Sequence, residues 1–171
     1  MSKPDPFEEE ERDAIIAYFR QKVSFYYPFV CTLFSTGMRP SEALGLCWGD
    51  VDLRRGEISI SKSRYLGEES ATKTEGSERV IKILPSIVDV LKAIKPLHVA
   101  EDTPVFLNQD GEPIDFRTWR GKKGERSAGH DKTPHGVWYR ALRATGVRVR
   151  KPYTMRHTFI SVALTKGRKI K

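Results

Sequence analysis

Residues 8–22 place Ala14, Ile15, Tyr18 and Phe19 at helical spacing behind an acidic first turn, which predicts an amphipathic helix. A second apolar segment, Tyr26 to Ser35, reads as a buried helix ending at Thr36-Gly37, where glycine suits a left-handed stop. Pro40 fits the first position of a third helix with Glu42 in its first turn, and Gly45 keeps that helix short. The period then changes. Glu57-Ile58-Ser59-Ile60-Ser61 alternates apolar and polar as a half-buried strand does, and residues 78–84 read as another strand. Gly67, Lys73, Thr74 and Gly76 mark the stretch between them as a turn region of a small antiparallel sheet.

Pro85 opens a helix carrying Ile87, Val90, Leu91 and Ile94, and Pro96 stops it. Val105-Phe106-Leu107 is a short strand candidate before an Asp110-Gly111 turn. Residues 117–132 are glycine-rich and basic without apolar periodicity, which predicts a flexible loop able to order against phosphates. Thr133-Pro134 is expected to cap a helix with Val137, Trp138, Ala141 and Leu142 inward and Gly146 at its end. Pro152 precedes a last helix with the stripe Met155, Phe159, Val162 and Ala163. The sum is one α+β domain over residues 1–171, mainly helical, with a small antiparallel β-sheet inserted.

The length of 171 residues fits one core, and the fractions of apolar (39%) and charged (30%) residues exclude a disordered chain. No apolar run is long enough for a membrane helix. The acidic opening, Met1 to Glu11, is unlike a signal peptide, so a cytoplasmic protein with no membrane partner is expected. Cys31 and Cys47 lie in apolar segments without metal-ligand spacing, so two reduced buried thiols and no metal are expected. A net charge of +8 favours a polyanionic partner, nucleic acid foremost. That charge is uneven: residues 1–13 are acidic and 117–151 strongly basic, which suggests one working face.

Two arginines stand at helix starts. Arg39, in Thr36-Gly37-Met38-Arg39-Pro40-Ser41-Glu42, lies between a helix-ending glycine and a helix-starting proline, where a guanidinium and backbone N–H donors can share a phosphate. On spacing alone, an exposed arginine in an interhelical turn accounts for it better. Arg156, in Tyr153-Thr154-Met155-Arg156-His157-Thr158-Phe159, falls in the first turn of the last helix, where a cation is unfavourable unless an anion is supplied. Its bland reading is a surface charge, with Tyr153 a packing aromatic. Trp48, Trp119 and Trp138 read as packing residues, and His157 as a side chain packed near the helix start.

Taken in order, the turn around Arg39, the stretch Thr72-Lys73-Thr74 with Ser77 and Arg79, and the run Tyr153 to Phe159 resemble the tyrosine recombinase (phage integrase) family. The likeness extends from about residue 7 onward. It implies a mainly helical catalytic domain whose reaction exchanges strands of double-stranded DNA through a covalent 3′-phosphotyrosine link, with neither metal nor other cofactor. Carried over residue by residue, Arg39 matches the first catalytic arginine and Glu42 the acidic residue that braces it. Lys73 matches the β-hairpin lysine and Arg156 the second arginine. Tyr153 stands where most members have histidine, a replacement some phage-like members share.

The implied chemistry is coherent. Two arginines can grip a phosphodiester through forked hydrogen bonds while charge builds on its non-bridging oxygens. Lys73 can protonate the leaving 5′-oxygen. Tyr153 can donate to the same phosphate, yet cannot serve as a neutral-pH base as histidine does. Lys122, Lys123 and Arg126 would add non-specific phosphate contacts. The family's nucleophilic tyrosine follows the second arginine, whereas Tyr18, Tyr26, Tyr27, Tyr65, Tyr139 and Tyr153 all precede Arg156. The expectation is a partial catalytic domain lacking the nucleophile segment, inactive alone, with DNA and full-length recombinase protomers as partners. A non-catalytic DNA-binding or interaction module derived from an integrase is the alternative. An unrelated helix-turn-helix regulator ranks last, because it leaves residues 36–44 and 72–79 unexplained.

Overall fold

The computed structural model describes residues 4–65, 68–71, 78–121 and 135–167. Helix α1 (Glu9–Lys22) starts on three glutamates, ends on Arg20 and Lys22, and buries Ile15 and Phe19. Its charges thus complement the helix dipole at both ends. A single 3-10 turn (Ser24–Tyr26) leads into α2 (Tyr27–Thr36), buried along Pro28–Phe34 as an apolar run with no polar face must be. Helix α3 (Pro40–Leu44) follows directly.

The sheet region holds more than the sequence pattern suggests. Strands β1 (Val51–Asp52), β2 (Glu57–Ile60) and β5 (Arg79–Lys82) form an antiparallel sheet in the order β1-β2-β5, with Ile58 opposite both Val51 and Ile81. Between β2 and β5, where a polar turn region is expected, the chain makes a second antiparallel pair, β3 (Lys62–Tyr65) with β4 (Glu68–Ala71). Its sequence, KSRY against EESA, carries no apolar alternation. Cross-strand pairs such as Arg64 with Glu69 and Ser63 with Ser70 hold it instead. The strand expected at Val105–Leu107 reduces to two isolated bridges, Cys47 with Pro104 and Leu107 with Pro113.

Helix α4 (Pro85–Ile94) lays Ile87 and Leu91 against the core. The stretch expected to be a flexible loop from residue 117 begins inside a helix, α5 (Phe116–Arg120). Asp115 caps that helix by accepting from the backbone N–H groups of Arg117 and Thr118. Trp119 then anchors it in the core, stacked on Tyr26 and edge-on to Phe29. One indole outweighs the basic residues around it, a burial that composition averaging hides. Helix α6 (Val137–Thr145) starts after Gly136, later than the cap expected at Thr133-Pro134, which lies outside the described residues. Helix α7 (Thr154–Thr165) packs on α2.

The basic stretch does not all face outward. Arg150 is buried, donates to Asp5 and Glu11, and lies over the Phe7 ring. Arg148 pairs with Asp5 as well. The acidic start of the chain therefore neutralises the end of the basic segment rather than leaving it on one working face. Phe7 N–H donates to Thr158 Oγ at 2.9 Å, so this segment is tied to α7 too. Among the described residues no helix is long and apolar enough to cross a membrane.

Candidate functional site

The turn between α2 and α3 meets the first turns of α7. Gly37, in the left-handed region at φ 66°, ends α2 and turns the chain so that Arg39 enters α3 in extended conformation. Added there, a Cβ would lie 2.4 Å from the Phe159 ring, so α7 sits directly on this turn. Arg156, one helical turn before Phe159, donates from Nη1 to the Gly37 carbonyl oxygen at 2.6 Å.

Glu42 organises the other side. It is 3% exposed and accepts four hydrogen bonds. The Arg39 backbone N–H and Nη1 each donate at 2.8 Å, and Arg79 Nη1 and Nη2 donate at 3.1 and 2.9 Å. Burial pushes the Glu42 carboxyl up, but Arg79, the Arg39 backbone N–H and the Arg39 guanidinium outweigh it and hold the group below its usual value. Arg39 is in turn held more firmly protonated, first by its hydrogen bond to Glu42 and in smaller part by the Tyr153 phenol beside it. Its side chain remains 43% exposed, so the braced guanidinium faces out of the fold.

Tyr153 is the residue before α7, 40% exposed, with its ring edge-on to His157 at 5.1 Å. It lines a cleft of about 320 Å³ with Arg39, Tyr65, Phe116, Arg120 and Lys151. Thr154 is the first residue of α7, and no side chain caps the helix. Trp48, Trp119 and Trp138 are buried, as packing residues. Of the expected site residues, Arg39, Glu42, Tyr153 and Arg156 come together around one turn and one helix start. Lys73, Lys122, Lys123 and Arg126 lie outside the described residues. Arg79 enters the sequence only as part of a motif; the pairing of β5 with β2 brings its guanidinium to fork onto Glu42. Among the described residues no group of His, Cys, Asp and Glu could hold a metal ion.

The model of the phage integrase family matches residues 7–170. This chain belongs to the phage integrase family. As a member it is 26% identical over 180 residues to the prophage integrase IntR of Escherichia coli K12, a match covering 96% of this chain and 42% of IntR. It is 27% identical over 150 residues to a XerC-like tyrosine recombinase of Caldanaerobacter subterraneus, covering 78% of this chain and 37% of that protein. The integrase-family chain thus spans less than half the length of these curated relatives.

Its fold is that of solved integrase-family proteins. The Tn1549 transposon integrase (residues 82–397), solved in complex with circular intermediate DNA, superposes with a TM-score of 0.76 at 19% identity. That match covers 99% of this chain and 57% of the integrase. The XerA recombinase superposes with a TM-score of 0.69, also at 19% identity, covering 99% of this chain and 54% of XerA. The α+β, mainly helical architecture of this family member is therefore the tyrosine recombinase catalytic fold.

Proposed function

We propose that this integrase-family chain grips the backbone phosphate of duplex DNA as part of the catalytic domain of a site-specific recombinase. The observation that carries the reading is the anchoring of Arg156 on the carbonyl of Gly37, two residues before an Arg39 already braced by Glu42. Arginines fixed in this way meet a phosphate without first paying the entropy of ordering their long side chains. Arg39 and Arg156 take the non-bridging oxygens, and the Tyr153 phenol donates to the same phosphate. Glu42 acts through Arg39 as a positioning residue. Lys73 protonates the leaving 5′-oxygen, and Lys122, Lys123 and Arg126 add contacts to neighbouring phosphates. These roles need no metal. The reading goes with a cytoplasmic site of action, where the DNA of a cell without a nucleus lies. Support comes from family membership, from DNA-bound fold neighbours such as the Tn1549 integrase, and from the net charge of +8.

The test is the salt dependence of duplex binding followed by fluorescence anisotropy. The chain should bind a labelled duplex with an affinity that falls steeply as salt rises, and Arg39→Ala and Arg156→Ala should each flatten the slope by about one ion. Unchanged slopes in both variants would refute the reading.

A further inference from the structure

The cleft beside Arg39 has walls that a phosphate does not need. Tyr65, the last residue of β3, is 51% exposed and packs its ring against Phe116, the first residue of α5, at 5.0 Å and a tilt of 56°. The Arg120 guanidinium lies over the Phe116 ring, 5.9 Å from its centre. Tyr153 and Lys151 line the same cleft as Arg39. Among the described residues that line the cleft there is no carboxylate, and neither Arg120 nor Lys151 is paired with one. At about 320 Å³ the space is at the small end of ligand-sized clefts, wide enough for one planar ring system and too small for a folded segment.

Aromatic faces flanked by unpaired cations, with a phosphate site at one end, match the chemistry of a nucleotide. Its ring stacks on the aromatics and its backbone charge meets the guanidinium groups. A base inside a duplex has both faces covered by its neighbours and cannot enter such a slot. We infer that the Tyr65–Phe116–Arg120 cleft is a stacking subsite for a single unpaired DNA base next to the phosphate held by Arg39. The inference rests on the phosphate-gripping reading, because the shared Arg39 wall fixes which nucleotide reaches the cleft. Stacking tolerates any base, so the subsite senses whether a base is free rather than which base it is. The chain would thereby favour DNA already opened beside the gripped phosphate.

The experiment compares three labelled duplexes of one length and sequence at one low salt concentration. One is fully paired, one carries a single bulged adenine, and one carries an abasic bulge at the same place. The bulged adenine should bind about fivefold or more tighter than the paired duplex, and the abasic bulge should bind like the paired one. Tyr65→Ala should bring the bulge-to-paired ratio to about one, while Tyr65→Phe, which keeps the ring, should retain the preference. Comparing the adenine and abasic bulges on the unaltered chain needs no variant to fold. Equal affinity for those two bulges would show that bendability and not the base is sensed, and would overturn the proposal. Persistence of the preference in folded Tyr65→Ala would do the same. Saturable binding of an acidic aromatic peptide that depends on Tyr65, without any bulge preference, would assign the cleft to a protein partner and also overturn it. Salt-dependent binding to paired DNA without a bulge preference defeats this inference alone. Failure to bind any of the three duplexes defeats the phosphate reading with it.

Discussion

Arg156 and Gly37 are joined by a hydrogen bond of 2.6 Å from a guanidinium to a main-chain carbonyl, across 119 positions of sequence. The acceptor is the main-chain carbonyl of Gly37, so the bond depends on where the turn lies rather than on any side chain of the turn. The geometry of one interhelical turn therefore fixes where the second arginine of the site can stand. The same turn also carries the Phe159 ring of α7, which occupies the space a Cβ on Gly37 would need.

Gly37→Ala tests that dependence. The new methyl would need a left-handed φ of 66° and would lie 2.4 Å from the Phe159 ring. Strain and overpacking together should destabilise the fold by about 2–4 kcal/mol. Denaturant unfolding should show the loss as a lower midpoint, and DNA binding should weaken even under conditions where the variant is folded. An unchanged midpoint would mean that α7 does not rest on this turn.

Glu42→Gln removes a charge while keeping its shape. Four donors from Arg39 and Arg79 converge on this carboxylate, and a neutral amide can neither accept all of them nor offset both cations. Both arginines are partly exposed and can take water instead, so the expected cost is about 2 kcal/mol rather than that of a fully buried pair. Thermal melting should register it. The affinity for duplex DNA should fall as well, because Arg39 loses its brace.

Acid should unfold the chain through the same carboxylate. Glu42 is held below the usual glutamate value of 4.5, and Asp5 and Glu11 are also lowered. A group with a depressed folded pKa stabilises the fold above its unfolded pKa and loses that contribution as pH falls through the folded one. Stability should therefore be flat with respect to these groups above about pH 5 and decline below it. The Glu42→Gln chain should start lower and lose less between pH 5 and pH 3, by the protons that Glu42 no longer takes up. Parallel pH profiles would contradict the assignment.

Much of the helical frame was legible because single residues mark it. Gly37, Pro40, Pro85 and Gly146 each do what local chemistry requires, and the structure has helix ends or starts at all of them. The order of motifs put Arg39, Tyr153 and Arg156 forward together, and the structure brings them to one turn and one helix start. The hairpin of β3 and β4 was not, because it is held by polar cross-strand pairs instead of an apolar face. Nor was the docking of α5. Gly136 lies so close to that helix's end that a Cβ would sit 2.1 Å from the Arg120 carbonyl carbon, a contact no local pattern encodes. The Tyr65 cleft depends on both of these features, which is why no reading of spacing points to it.

Arg39 and Arg156 are proposed to hold one and the same phosphate. A double-mutant cycle on duplex binding tests it most directly, with Arg39→Ala, Arg156→Ala and the double variant titrated at a single low salt concentration. Groups that share one anion should be coupled, so the double variant should lose less affinity than the sum of the single losses, by about 1 kcal/mol or more. Losses that add within about 0.3 kcal/mol would mean that the two guanidinium groups act on separate partners, and would contradict the account.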